Sequence, residues 1–172
     1  FNGIDSELEG KYRKAHFNGV ATIVSKLFKL FKPNQAFFGE KDFQQTQIIK
    51  RLIDLEKHKT KLIICPTVRE KNGLAMSSRN SLLSKKNREN SSIIFHNLNY
   101  VKTHFKKTDF DEIISRCIKS INSCDGFKTE YFEIVDSFSL SKQKKYCENK
   151  SYRVFVSVIV DEVRLIDNIL LN

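Results

Sequence analysis

Hydrophobic residues recur every three or four positions in residues 17–31, which is the spacing of one face of a helix. This segment is predicted to form an amphipathic helix that ends at Pro33-Asn34. Its apolar residues are Phe17, Val20, Val24, Leu27, Phe28 and Phe31. Two short apolar runs, residues 36–38 and 62–65, lack this period and are predicted to be buried strands.

The helical period returns between the two predicted strands. Asp42 is predicted to cap this helix at its start, and the cations of residues 57–59 lie at its end. Its apolar side is predicted to contain Ile48, Ile49, Leu52, Ile53 and Leu55. A strand, a helix and a second strand joined by short links form the parallel crossover unit. Residues 39–42 and 66–68 would then leave the sheet at its carboxyl edge, where open α/β sheets bind ligands.

The rest of the chain predicts a second, smaller α+β unit with an antiparallel sheet. Two helical stripes come first: Ile94, Leu98, Val101 and Phe105, and then, after Asp109, Phe110, Ile113, Ile114, Cys117, Ile118 and Ile121. Residues 129–136 and 152–160 are predicted to be strands, and Asp161-Glu162 turns the second of them into residues 163–171. The predicted division is therefore residues 1–67 and residues 68–172.

The composition fits a protein with a real core, since 40% of the 172 residues are hydrophobic. No apolar run approaches the ~18 residues that a membrane helix needs, and no signal-peptide pattern opens the chain, so a soluble cytoplasmic protein without a membrane partner is expected. The net charge is +10, but the lysines are spread along the whole chain. The charge is interpreted as a solvated surface, and no nucleic-acid partner is predicted.

The cysteines and histidines offer no metal-binding spacing. The four cysteines lack a C-x-x-C pair, and the four histidines lack an H-x-x-H pair. Free thiols are predicted, and no residue is assigned as a metal ligand. Residue 1 is Phe and the only methionine is Met76, so the chain is expected to be a fragment or a processed piece.

Two polar segments carry the candidate chemistry. Gly39-Glu40-Lys41-Asp42 follows the first predicted strand, and Met76-Ser77-Ser78-Arg79-Asn80 follows an Asn-Gly turn. Hydroxyls, backbone N–H groups and a guanidinium fork suit phosphate oxygens. Each segment also has a plain structural interpretation: Lys41 and Asp42 as a surface ion pair, and the serines as a helix cap beside a surface arginine.

Three stretches together resemble the pantothenate synthetase family, the ATP-dependent ligases of pantoate and β-alanine. They are HFNGVATIVSKLFKLFKPNQAFFGEKDFQQ, PTVREKNGLAMSSRNSLLS and VRLIDNILL, in the family's order and spacing. The resemblance implies an α/β fold: the later part of a Rossmann-like nucleotidyl-transferase domain with a parallel sheet over residues 1–67, and a lid-like α+β domain over residues 68–172. It also implies that the family's H-x-x-H half is absent from this chain, so the chain alone is expected to be inactive.

The reaction that the resemblance implies has two steps. Pantoate is first activated by ATP as a pantoyl adenylate, in the presence of Mg²⁺, and β-alanine then displaces AMP. The full-length form is expected to be a homodimer.

The resemblance also implies a role for each residue that matches the family's motifs. Lys41, Ser77, Ser78 and Arg79 would act on the phosphates, and Gly39 and Asp42 would meet the ribose. The Val68 and Met76 segments would hold adenine largely through backbone groups, and Phe38 would also bind ATP. Gln45 would bind pantoate.

One segment departs from the family. Around His16 the family usually has Arg-Pro-Gly-His, whereas this chain has Arg13-Lys14-Ala15-His16, so no roles are carried over to Arg13 and His16. Two rival functions remain open: another adenylate-forming enzyme of the same fold with a different acid, and a non-catalytic basic module that binds nucleic acid or a protein partner.

Overall fold

A computed structural model describes every residue from Phe1 to Asn172. The chain forms two units, Phe1–Thr67 and Val68–Asn172. The fold class predicted from the sequence is confirmed, because a parallel two-stranded sheet is followed by a separate antiparallel sheet of three strands. No helix has the length and apolarity that crossing a membrane requires.

The first unit contains the predicted strand–helix–strand arrangement. Its elements are α1 (Glu9–Tyr12), α2 (His16–Phe31), β1 (Gln35–Gly39), a 3₁₀ helix (Glu40–Asp42), α3 (Phe43–Leu55) and β2 (Lys61–Cys65). β1 and β2 pair in parallel, with Gln35 opposite Lys61 and Gly39 opposite Cys65. The four-residue helix α1 carries no periodic signal, and the sequence did not predict it.

Burial in the first unit differs from the prediction. In α2 the buried residues are Phe17, Ala21, Ser25 and Phe28, whereas Leu27 and Phe31 are exposed. Leu55 in α3 is exposed as well. β1 and β2 were predicted to be buried strands, and this is wrong, because Phe37 is 65% exposed and Ile64 is 39% exposed. No residue of β1 or β2 is fully buried, so neither face of this two-stranded sheet is completely covered.

The second unit contains the predicted helices and hairpin. Its elements are a 3₁₀ helix (Ser78–Leu82), α4 (Lys85–Asn90), α5 (Ser92–His104), α6 (Phe110–Asn122), β3 (Phe127–Asp136), β4 (Tyr152–Val160) and β5 (Val163–Leu170). β4 pairs antiparallel with both β3 and β5. Asp161 and Glu162 connect β4 to β5 with φ of 47° and 69°, the positive values that a tight hairpin turn requires.

The core of the second unit lies between α5, α6 and the sheet. The predicted stripe of α5 is fully confirmed, because Ile94, Leu98, Val101 and Phe105 are all at most 2% exposed. Tyr152 of β4 is also buried, and its ring lies 5.7 Å from that of Phe110. Asp109 begins α6 by accepting hydrogen bonds from the backbone N–H groups of the first turn.

Candidate active site

The carboxyl ends of β1 and β2 meet at one edge of the parallel sheet. Gly39 and Cys65 are the last pair of the register, so both strands end at the same level. The 3₁₀ helix of residues 40–42 follows β1 directly, and Pro66 and Thr67 follow β2. The parallel pairing predicted from the sequence is confirmed, and it places the Gly39–Asp42 turn where open α/β sheets bind their ligands.

Gly39 has an ordinary backbone conformation and open space around it. Its φ of −73° and ψ of 134° are extended values that any residue adopts. A Cβ atom placed on Gly39 would meet nothing within 4 Å. The backbone at this position therefore does not itself require glycine. A requirement for glycine here would have to come from a molecule outside the chain that approaches the backbone closely.

Lys41 and Asp42 occupy the short 3₁₀ helix. Lys41 is half-buried, and Asp42 is exposed at the residue that precedes α3. The prediction that Asp42 caps α3 is wrong, because its side chain makes no capping hydrogen bond. The cause is local: Asp42 has a φ of −97° and a ψ of 46°, which is not the extended geometry that lets a cap oxygen reach the next N–H groups.

Gln45 and its neighbour Gln44 lie in the first turn of α3 and differ in environment. Gln45 is half-buried. Gln44 is 3% exposed, accepts a hydrogen bond from the N–H of Glu9 at 3.0 Å, and donates to the carbonyls of Ile4 and Glu7 at 2.7 Å each. Gln44 therefore ties the N-terminal segment to α3. Sequence reasoning missed it because its partners are 35 to 40 residues away.

A small hairpin precedes the serine-arginine segment in the second unit. Arg69 and Ala75 form an antiparallel bridge, and the N–H of Met76 donates to the carbonyl of Val68 at 2.9 Å. Gly73 lies at the tip with a φ of 93°. Val68 and Met76 are therefore adjacent across the hairpin, and both side chains are largely exposed.

Ser77, Ser78 and Arg79 follow the hairpin. The Ser77 hydroxyl accepts a hydrogen bond from the N–H of Arg79 at 3.2 Å, which makes Ser77 the cap of the 3₁₀ helix Ser78–Leu82. The side chains of Ser78 and Arg79 are exposed. The plain structural interpretation, a cap beside a surface arginine, thus describes the local geometry. It also leaves one hydroxyl and one guanidinium directed at solvent.

The structure groups the ten sequence-predicted residues in two sets. Phe38, Gly39, Lys41, Asp42 and Gln45 belong to the first unit, and Val68, Met76, Ser77, Ser78 and Arg79 belong to the second. The first set lies on one segment, residues 38–45. The second set lies on the two sides of the small hairpin and on the residues that follow it. That both sets contact one nucleotide stays a prediction.

The charged groups beside the second set have a definite electrostatic arrangement. Arg88 lowers the pKa of Glu70 below its usual value, and Asn80 assists by donating a hydrogen bond to the same carboxylate at 2.7 Å.

The chain contains no group of three His, Cys, Asp or Glu side chains that could hold a metal ion. All four cysteines are free thiols, as predicted, and burial raises the pKa of Cys117 to about 12.

Two cavities in the first unit contain none of the predicted residues. One, of about 370 Å³, is lined by Phe28, Pro33, Thr60, His58 and several lysines. The other, of about 450 Å³, is lined by residues of α2 together with Leu52 and Glu56. Neither cavity lies among the residues that follow the strand ends, so neither provides the candidate site.

Comparison with known proteins gives a match along almost the whole chain. Residues 1–170 match the model of the family described as pantoate-β-alanine ligase. The chain is 42% identical over 172 residues to the pantothenate synthetase of Flavobacterium psychrophilum, covering all of this chain and 61% of that protein. It is 44% identical over 169 residues to that of Azobacteroides pseudotrichonymphae, covering 98% and 60%.

Solved structures give the same match. The pantothenate synthetase of Thermus thermophilus superposes with a TM-score of 0.89 at 31% identity, covering 98% of this chain and 60% of that one. The pantoate-β-alanine ligase of Francisella tularensis, in complex with β-γ ATP and β-alanine, superposes with a TM-score of 0.72 at 33% identity, covering 98% and 55%. The chain thus spans about 61% of the length of the curated relatives it matches.

Proposed function

Because this chain belongs to the pantoate-β-alanine ligase family, we propose that it contributes to the ATP-dependent condensation of (R)-pantoate with β-alanine. The products are pantothenate, AMP and pyrophosphate. The observation that carries the proposal is the match of residues 1–170 to the family model. The parallel strand ends beside Gly39 support it, since they offer the position at which this class of sheet binds a nucleotide.

The proposed chemistry proceeds through a pantoyl adenylate. A carboxylate oxygen of pantoate attacks the α-phosphorus of ATP, a P–O bond forms, and the bond to the β-phosphate oxygen breaks to release pyrophosphate. The neutral amine of β-alanine then attacks the acyl carbon, the amide C–N bond forms, and the C–O bond to AMP breaks. The amine loses a proton to the surrounding solvent. Adenylation is needed because a free carboxylate does not react with an amine.

The residues of the first unit are proposed to hold the ribose, the phosphates and pantoate. Gly39 leaves space for the ribose to approach the backbone, and Asp42 accepts hydrogen bonds from its hydroxyls. Lys41 contacts phosphate oxygens, and Gln45 donates a hydrogen bond to pantoate. The open space at Gly39 and the exposure of Asp42 support these roles. Phe38, the residue before Gly39 in β1, contacts the nucleotide.

The residues of the second unit are proposed to hold adenine and to stabilise the charge on the phosphates. Val68 and Met76, paired across the hairpin, contact adenine mainly through backbone groups. Ser78 and Arg79 donate to phosphate oxygens as charge shifts toward the departing pyrophosphate. Ser77 assists from the cap position. The exposed guanidinium of Arg79 supports this role, because a fork of N–H donors matches phosphate geometry.

Mg²⁺ is proposed to enter with the triphosphate. The chain has no cluster of three potential metal-ligating side chains. Mg²⁺ commonly keeps several waters and is bound mainly by substrate phosphates with one or two carboxylates, so it does not require such a cluster. Glu40 and Asp42 are the carboxylates nearest in sequence to Lys41, the proposed phosphate contact of the first unit. When bound, the ion would neutralise part of the negative charge on the phosphate oxygens.

The proposal is tested by acid-dependent exchange of labelled pyrophosphate into ATP, measured on the natural gene product. Exchange that requires pantoate, followed by pantothenate formation on adding β-alanine, is the expected result. If exchange requires a different acid, that acid is the substrate in place of pantoate. Steeply salt-dependent binding to DNA or RNA without any exchange would favour the basic-module function.

We also propose that the 172-residue chain by itself shows no turnover. None of its histidines lies in an H-x-x-H motif, and the chain spans about 61% of its curated relatives. The same exchange assay on the isolated chain checks this, and any acid-dependent exchange would contradict it. A homodimer and a cytoplasmic location of the full-length form are part of the proposal, and light scattering of the purified gene product and cell fractionation test them.

A further inference from the structure

Arg69 is held by three different groups at the base of the hairpin. Its guanidinium pairs with the carboxylate of Asp167 through two contacts, 2.5 Å from Nη1 to Oδ2 and 3.0 Å from Nη2 to Oδ1. Nη1 also donates to the carbonyl of Gly73 at 3.1 Å, and the guanidinium lies 4.0 Å from the centre of the Phe95 ring. One side chain thus joins the hairpin tip, a strand of the sheet and helix α5.

Asp167 is an unusual partner, because it is a buried charge. Its side chain is 4% exposed, and that of Arg69 is 18% exposed. Asp167 lies on β5 opposite Val156 of β4, and its Oδ1 also accepts the N–H of Asn168 at 2.8 Å. A buried ion pair gains little stability over well-packed apolar residues, since both charges must be desolvated. A role in fixing one geometry accounts for the pair better than a role in stability.

The far end of the serine-arginine segment is anchored separately. Asn80 is 2% exposed, and its amide donates to Glu70 Oε1 at 2.7 Å and to the carbonyl of Ala75 at 3.1 Å. Glu70 also accepts from the guanidinium of Arg88 at 2.9 Å. The residues between Ala75 and Asn80 are therefore fixed at both ends, while Ser78 and Arg79 between them remain exposed.

We propose that Arg69 and Asp167 are positioning residues that hold the hairpin so that Ser77, Ser78 and Arg79 are presented in one fixed geometry. This rests on the proposed function of that segment in binding phosphate. The two residues touch no proposed substrate group themselves. They act through the hairpin: Arg69 fixes Gly73 at its tip, and the bridge between Arg69 and Ala75 sets where the chain enters Met76.

The test compares Asp167→Asn with Glu130→Gln. Glu130 accepts from Arg164 at 2.5 Å and 2.9 Å on the same antiparallel sheet, so this control also neutralises the carboxylate of an Arg–carboxylate pair, away from the hairpin. Amide hydrogen exchange is measured first, on the 172-residue chain. In Asp167→Asn the amides of Glu70, Met76 and Asn80 are expected to exchange about tenfold faster, the change that losing one charge-assisted hydrogen bond produces. Amides of the β3–β4 ladder should not change.

The second readout is kinetic and uses the natural gene product. Asp167→Asn is expected to lower kcat/KM for ATP about tenfold, through both a higher KM and a lower kcat, because a displaced segment loses phosphate contacts in the bound state and in the transition state. Glu130→Gln should leave both unchanged. Arg69→Lys, which keeps the charge and loses the fork, is the second variant if Asp167→Asn does not fold, and it should show the same pattern.

Equal exchange and equal kcat/KM values in Asp167→Asn and Glu130→Gln would overturn the positioning role. Failure of the proposed function looks different, because the unaltered gene product would then show no acid-dependent pyrophosphate exchange at all. In that case faster amide hydrogen exchange in the hairpin would still establish that Arg69 and Asp167 anchor it. The connection between this anchoring and phosphate binding would be lost.

Discussion

The hydroxyl of Ser77 accepts a hydrogen bond from the backbone N–H of Arg79, at 3.2 Å, and so joins the first and last residues of the proposed phosphate-binding segment. Ser77 therefore has a local structural duty that its neighbour Ser78 lacks, since the Ser78 side chain is exposed. The two adjacent hydroxyls can be separated by experiment.

Replacing each serine by alanine should distinguish capping from ligand binding. Ser77→Ala removes the cap, and we expect a loss of stability at the low end of the range of about 0.5–2 kcal/mol, because the bond is partly exposed. Ser78→Ala should change stability by less than about 0.5 kcal/mol. Under the proposed function both weaken ATP binding. Thermal unfolding and ATP titration are measured on both variants. A loss of ATP affinity in Ser77→Ala alone would show that Ser77 acts through the cap and that the Ser78 hydroxyl does not bind ATP.

Gly39→Ala should impair nucleotide binding without destabilising the fold. The added Cβ meets nothing within 4 Å and φ is −73°, so stability should stay the same or rise by about 0.4–1 kcal/mol. ATP affinity should fall, because the methyl group occupies the space proposed for the ribose. Gly19→Ala is the matched control, since its Cβ also meets nothing and it lies within α2. If both variants bind ATP equally, the ribose does not approach Gly39.

Gln44→Ala should lower the stability of the fold, whereas Gln45→Ala should lower the affinity for pantoate. Gln44→Ala leaves three backbone groups without their partner, and we expect a loss of about 1–3 kcal/mol in the free energy of unfolding. Gln45→Ala should cost less than about 0.5 kcal/mol but should weaken pantoate binding in the natural gene product. Urea unfolding and pantoate-dependent exchange measure the two effects. Equal destabilisation by both variants would contradict the assignment.

The carboxylate of Glu56 should titrate far below the usual range. The Ser25 hydroxyl, at 2.7 and 2.8 Å, and Lys29, at 3.0 Å, lower its pKa to about 2. A depressed pKa in the folded state adds stability that is present above the unfolded value near 4.5 and is lost as the pH falls toward 2. Ser25→Ala should raise the pKa of Glu56 and move acid unfolding to higher pH.

Carbon-detected NMR titration of Glu56 checks this directly. Ser123→Ala is a suitable control, because its hydroxyl donates only to a neighbouring backbone carbonyl on an exposed surface. A Glu56 pKa near 4.5 in the unaltered chain would rule out the network of Ser25 and Lys29 as a source of acid sensitivity.

Elements with a strong period and a single buried face were predictable from the sequence. The stripe from Ile94 to Phe105 is buried as predicted, because α5 packs against both α6 and the sheet. The apolar face of α2 was misplaced, since Leu27 and Phe31 satisfy the helical spacing but have no covering element in the unit. Periodicity identifies a helix, whereas the neighbouring elements decide which side of it is buried.

The long-range contacts around the candidate site could not be predicted from the sequence. The strand ends and the position of Gly39 followed from local pattern, and parallel pairing confirmed the edge where they meet. The partners Arg69 and Asp167 are 98 residues apart, so no local pattern connects them. The same holds for Gln44 and the N-terminal carbonyls. Long-range polar contacts of this kind depend on the completed tertiary structure, whereas local side-chain caps can be inferred from neighbouring residues.

The double anchoring of the segment between Ala75 and Asn80 has a consequence for the thermodynamics of ligand capture. A short span tethered at both ends has few conformations left to lose, so the entropic penalty of ordering it falls on folding rather than on the arrival of a nucleotide. Calorimetry of nucleotide association should accordingly show a smaller unfavourable entropy for this chain than for a variant in which Asn80 has been replaced by glycine.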